Sequence, residues 1–159
     1  MEHIWTPWRY TYITNVDRTP GCVFCNLLES GDDRTNLILF RGKLNFIILN
    51  LYPYTSGHLM VVPYQHESSL AKFDDESTSE MMSLAKMAEV VLAREYNPDG
   101  FNIGWNLGRA AGAGVKDHLH MHLVPRWIGD ANFMTAIGES RVLPEDLGQT
   151  YDRLIKHFS

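Results

Sequence analysis

Residues 117–127 read DHLHMHLVPRW, an alternation strict enough to admit one local conformation. Leu119, Met121 and Leu123 occupy every second position, and His118, His120 and His122 fill the gaps. In a strand, successive side chains point to opposite faces. The three apolar residues then supply core, and the three imidazoles share the other face. Their β-carbons are spaced roughly 6.5–7 Å apart along a rigid support. Such a row suits two chemistries. One is metal ligation; the other is attack on phosphorus, with a neutral ring nitrogen as nucleophile and its neighbours as donors. Seven histidines in 159 residues are too few to produce the run by composition alone.

A strand needs neighbours, and the chain supplies four more. NLILFRG and LNFIILN flank a short turn and read as an antiparallel hairpin, and GHLMVVP is a third strand ended by Pro63. FNIGWN is the fourth and HLHMHLVP the fifth. Between the third and fourth lies one long helix, with Met81, Leu84, Ala85, Ala88, Val91 and Leu92 at helical spacing. Asp74, Asp75, Glu76 and Glu80 lie at its start, where negative charge favours the helix dipole, and NPDG stops it. A short helix is expected between Gly21 and Gly31, and a terminal helix with Pro144 in its first turn. The order predicts an α+β fold: a mainly antiparallel five-stranded sheet with one long helix packed on it. The length suits one domain over 1–159, with an aromatic arm at 1–20 (Trp5, Trp8, Tyr10, Tyr12) and a tail at 128–159.

Bulk properties narrow the functions. Net charge is −5, which opposes a general nucleic-acid-binding surface. No apolar run approaches the ~18 residues of a membrane span, and MEHIWTPWRYTYI lacks a signal pattern, so the chain is expected to be cytoplasmic. The loop GRAAGAG precedes the histidine row and has little side-chain bulk, so its backbone N–H groups can approach an anion closely. Cys22 and Cys25, in CVFC, are the only cysteines. Read alone they are a redox pair, half of a metal site or two unrelated thiols. His58, after Gly57, reads as a structural histidine, and Arg126 as either a phosphate-facing or an ordinary surface arginine.

HLHMHLVPR resembles the motif His-x-His-x-His-x-x, with x apolar, of the histidine triad (HIT) family. FIILNLYPYTSGHLMVVPYQH, at 46–66, resembles the family's upstream block, and CVFC the zinc pair of many members. WTPWRYTYI and PRWIGDANFM are most similar to the bacterial branch acting on diadenosine tetraphosphate and related dinucleotides, which holds both hydrolases and phosphorylases.

The resemblance implies a HIT-like fold and an enzyme that cleaves at the α-phosphate of a dinucleoside polyphosphate or related AMP derivative. His120 would attack and form a covalent nucleotidyl-histidine, with His122 and backbone amides holding the phosphate oxygens. Water would release the nucleotide in a hydrolase, the acceptor slightly preferred because it needs no dedicated orthophosphate site. Inorganic phosphate would do so in a phosphorylase. A nucleotide-binding regulatory module with weak catalysis is the non-enzymatic alternative.

Asn50 matches a ribose-binding position and Asn106 a phosphate-side asparagine. Many members carry Gln-Ser or Gln-Thr before the triad. Here Ala113-Gly114 stands there, with Asp117 as an extra residue, so the N–H groups of Gly112, Ala113, Gly114 and Val115 would serve instead. The family also nominates Cys22, Cys25, His66 and His118 for a structural zinc, with no metal required for the chemical step. It implies a homodimer with the two sheets joined, and a nucleotide substrate rather than nucleic acid or membrane.

Overall fold

A computed structural model describes residues 20–132 and 143–158. Residues 1–19 of the aromatic arm lie outside the described residues. In chain order the elements are α1 (Val23–Ser30), β1 (Ile38–Arg41), β2 (Asn45–Leu49), β3 (Leu59–Pro63), α2 (Asp75–Tyr96), β4 (Gly100–Trp105), β5 (Met121–Arg126) and α3 (Leu147–Leu154). The five strands form one antiparallel sheet in the order β1-β2-β3-β5-β4. α2 carries the chain past β3 to the edge, and β5 then returns between β3 and β4.

The alternation expected for the histidine strand divides the whole sheet. Ile47, Leu49, Leu59, Val61, Met121 and Leu123 face α2 and meet Met81, Leu84, Ala85, Ala88 and Leu92. Tyr151 and Leu154 of α3 join that core. Phe46, Ile48, Met60 and Val62 face the other way, with Ile38, and are covered by Phe24 of α1. β2 and β3 are therefore buried on both faces, which is why their sequences read as continuous apolar runs.

Local chemistry sets the ends of the helices. Asp74 caps α2 by accepting from the Ser77 N–H at 2.8 Å, and Asn97 ends it in the left-handed conformation (φ 43°). Gly31 (φ 71°) ends α1 in the same way. α3 begins later than Pro144 suggests. Asp146 and Gln149 form a reciprocal capping box, so the helix starts at Leu147 and Pro144 precedes it.

Glu80 does more than favour a helix dipole. Its carboxylate leaves α2 and accepts from the backbone N–H groups of Lys43 and Leu44, each at 2.7 Å, and from Asn45 Nδ2 at 2.8 Å. The β1–β2 turn is thus pinned to the helix. Gly42 leaves room for the clasp, since a Cβ there would sit 3.0 Å from Glu80 Oε1 and 2.8 Å from the Asn45 carbonyl oxygen.

Glu80→Ala strands these donors in a partly buried turn. It is expected to cost about 2–3 kcal/mol and lower Tm by roughly 5–10 °C, with Glu80→Gln intermediate. Thermal unfolding followed by circular dichroism checks the ordering.

Candidate active site

β5 begins at Met121, so His118 and His120 lie in the extended segment that enters it. The segment leaves the ladder because Leu119 N–H donates to the Glu67 carbonyl at 2.7 Å instead of to a strand. The alternation survives: Leu119, Met121 and Leu123 are in the core, and the three histidines face the α1 side. Phe24 supplies the wall, its ring centroid 5.2 Å from that of His118 and 5.3 Å from that of His120.

The hydrogen bonds assign each ring a role. His118 is 1% exposed. Its Nε2–H donates to the Pro63 carbonyl at 2.8 Å, so Nδ1 carries the lone pair. That nitrogen lies 3.2 Å from Cys22 Sγ, 3.8 Å from Cys25 Sγ and 3.3 Å from His66 Nδ1. Cys25 Sγ is 3.6 Å from His66 Nδ1, and all four donor atoms lie within 4.8 Å of one another. Zinc bonds of about 2.0–2.1 Å to nitrogen and about 2.3 Å to sulfur give tetrahedral edges near ~3.3 Å for N–N and ~3.5 Å for N–S. The donor set and its spacing fit a closed Cys₂His₂ zinc site. The Pro63 carbonyl is the outer partner that a metal-ligating imidazole needs.

His120 is the reverse. Its Nδ1–H donates to the His118 carbonyl at 2.9 Å, so the lone pair is at Nε2. Burial holds this imidazole below its ordinary pKa against the opposing pull of that carbonyl. A neutral ring with a committed Nδ1–H has its lone pair at Nε2, the form of imidazole that can act as a nucleophile.

His122 takes its tautomer from a residue that sequence reasoning set aside. The Tyr54 backbone N–H lies 3.1 Å from His58 Nδ1. A backbone N–H only donates, so Nδ1 accepts and the neutral His58 ring carries its proton at Nε2. That proton goes to His122 Nδ1, 2.9 Å away. His122 in turn keeps its own proton at Nε2. Burial, with a smaller contribution from His120, pushes its pKa down to about 4. The row thus sets a lone pair on His120 beside a neutral donor on His122, their ring centroids 4.9 Å apart. His58, read from sequence as structural, orients this donor. Its one sequence signal is its position at the head of a strand that pairs with the triad strand.

Gly104 pairs directly across from His122, and a Cβ there would meet nothing within 4 Å. Space beside the donor is therefore open. Asn106 lies one residue beyond the last ladder pair, Trp105 with Met121, where the register runs on toward His120. Asn50 Oδ1 accepts from the Tyr52 N–H at 2.9 Å, and its Nδ2 is 3.4 Å from His58 Nε2. In the glycine-rich loop, Gly112 N–H donates to Arg109 and Ala113 N–H to Gly108. Two of the four N–H groups expected to meet an anion, those of Gly112 and Ala113, are thus used to shape the loop. Arg126 is occupied as well: its guanidinium holds Asp130 at 2.6 and 2.7 Å and also bonds Asn102.

The HIT domain family model matches residues 33–127, and the chain belongs to the HIT family. It is 42% identical over 158 residues to AP-4-A phosphorylase of Mycobacterium tuberculosis, covering 94% of this chain and 80% of that one. It is 29% identical over 106 residues to an adenosine 5'-monophosphoramidase of Schizosaccharomyces pombe, covering 67% of this chain and 74% of the relative. Among solved structures, a zinc-bound histidine triad family protein from Mycobacterium smegmatis superposes with a TM-score of 0.70 at 27% identity, over 87% of this chain and 93% of that one. No helix among the described residues is long and apolar enough to cross a membrane.

The depressed proton affinity of His122 has a consequence for stability. The unfolded chain takes up this proton near the ordinary histidine value of about 6.5, and the folded chain only near about 4. The unfolded state therefore binds more protons in between, and stability falls as pH drops through that window. Urea unfolding at about pH 7 and about pH 5 is expected to show the lower midpoint at acid pH. The loss is expected to be smaller in His122→Asn.

Proposed function

We propose that the chain is a nucleotidyl-transferring enzyme that acts on a dinucleoside polyphosphate through a covalent nucleotidyl-His120. One observation carries the reading: the His118 carbonyl holds the His120 Nδ1–H, which leaves Nε2 as the free lone pair beside the His122 donor. In the first step Nε2 attacks the α-phosphorus. The N–P bond forms, the bridging P–O bond breaks, and the leaving nucleotide departs with its electron pair. As the His120 ring becomes cationic, its Nδ1–H bond to the carbonyl strengthens. The His122 Nε2–H and the Gly114 and Val115 N–H groups meet the charge on the phosphoryl oxygens. In the second step an acceptor oxygen attacks, and the N–P electron pair returns to Nε2.

Two acceptors compete, and orthophosphate is favoured because the 42% identical relative carries the name of a phosphorylase. Diadenosine tetraphosphate plus phosphate would then give ADP and ATP. Zinc at Cys22, Cys25, His66 and His118 would be structural, fixing the residue whose carbonyl orients the nucleophile. It takes no part in the transfer. The chain is read as a homodimer joined through β4. That strand is one edge of the sheet, and Ile103 on it is 44% exposed. Free thiols at a metal-type site suit the reducing cytoplasm.

A denaturing quench at alkaline pH, where a nucleotidyl-histidine N–P bond survives, during turnover of diadenosine tetraphosphate is expected to trap an adenylyl group on the peptide containing His120. His120→Ala is expected to lack both adduct and turnover. ADP appearing only with added phosphate identifies the phosphorylase, AMP without phosphate a hydrolase, and absence of an adduct on active wild-type protein removes the mechanism.

The purified chain is also expected to carry one zinc, read by elemental mass spectrometry. Cys25→Ser is expected to lose the metal and several degrees of Tm. Full metal retention in that variant would exclude the four-donor assignment.

A further inference from the structure

The residue that fixes His58 through its backbone also covers the relay with its side chain. The Tyr54 ring centroid lies 4.6 Å from that of His58 and 6.1 Å from that of His122, and its plane is 21° from the His122 plane. His58 beneath it is 1% exposed, whereas Tyr54 is 43% exposed. One side of the phenol therefore seals the two imidazoles while the residue as a whole borders solvent.

The loop that carries the ring is held at several points. Asn50 N–H donates to the His58 carbonyl at 3.0 Å, and His58 N–H to the Thr55 carbonyl at 3.2 Å. Thr55 Oγ1 donates to the Pro125 carbonyl at 2.8 Å, tying the loop to β5. Gly57 has φ +76°, and a Cβ there would lie 3.0 Å from Leu92 and Tyr96 of α2. The turn thus accommodates glycine at that point, and the helix fixes its height over the sheet.

We propose that Tyr54 is a positioning residue for nucleotidyl transfer: its ring shields the His58–His122 hydrogen bond from water and so keeps the His122 Nε2–H directed at the phosphoryl group. The proposal rests on the assignment of His122 as the donor. A water admitted at His122 Nδ1 offers that nitrogen an acceptor, and the ring is then free to move its proton there. The Nε2 lone pair would face the anion, and a donor would become a source of repulsion. Exclusion of water also strengthens the relay bond itself. The hydroxyl has no part in this argument, so the ring alone should suffice.

Three variants and one spectrum test it on the full-length protein. Two-bond ¹H–¹⁵N correlation of the histidine rings, without substrate, is expected to show wild-type His122 as a single Nε2–H tautomer. Tyr54→Leu retains the backbone N–H but removes the ring, and is expected to show mixed tautomers. Its kcat is expected to fall about tenfold or more with KM within about twofold. Tyr54→Phe is expected to restore the wild-type spectrum and at least half the wild-type kcat. Tyr54→Met, a bulky replacement, provides a second ring-free variant where Tyr54→Leu fails to fold.

A wild-type His122 carrying its proton at Nδ1 overturns the proposal. So does a ring-free variant with wild-type tautomer and kcat, one whose defect lies in KM alone (a substrate-stacking role), or Tyr54→Phe as impaired as Tyr54→Leu. The spectrum needs no substrate. If the chain turns over no dinucleotide, the functional reading fails while the tautomer result still decides the role of Tyr54.

Discussion

The hydrogen bond from His120 Nδ1–H to the His118 carbonyl is the contact on which the site depends. It reverses the tautomer that His118 itself adopts, because His118 gives its own Nε2–H to Pro63. Two residues apart on the same face, one imidazole presents Nδ1 to the cysteines and the other keeps its lone pair at Nε2. Without that bond the His120 ring would have no fixed tautomer, while His118 and His122 would keep theirs through Pro63 and His58. With it, one ring serves the scaffold, one has a lone pair to share and the third has a proton to give.

His118 joins the two halves of the design. Its side chain reaches the group formed by Cys22, Cys25 and His66, and its carbonyl accepts from His120 Nδ1. α1 thereby bears on the chemistry twice, through the cysteines at its start and through Phe24 against the imidazoles. The α2 face of the sheet is packed core, while the α1 face is packed over β1–β3 and leaves space where Gly104 stands opposite His122.

The regular elements were legible in the sequence because their signals are local. The period-two row revealed the triad face, and the Met81–Leu92 spacing revealed α2. The four metal-type donors became legible only through resemblance, since 96 positions separate Cys22 from His118 and no local pattern links them. The sequence leaves the role of His58 open for a related reason. A buried histidine and a positioning histidine look alike in sequence, and the difference lies in a backbone N–H four residues earlier and a ring on another strand. Glu80 was taken for a dipole residue because its true partners lie in the β1–β2 turn. The Gly112 and Ala113 amides were counted as anion donors because a string of small residues does not show which N–H groups a 3₁₀ turn will consume.

The placement of β5 between β3 and β4 orders events during synthesis. Three of the four metal-type donors emerge within the first 66 residues, but the fourth, His118, lies in the segment entering β5, made after α2 and β4. A nascent chain therefore carries a three-donor group that only the last interior strand can complete. The same segment carries His120, so the ring whose tautomer the His118 carbonyl fixes is also among the last parts of the sheet to be made.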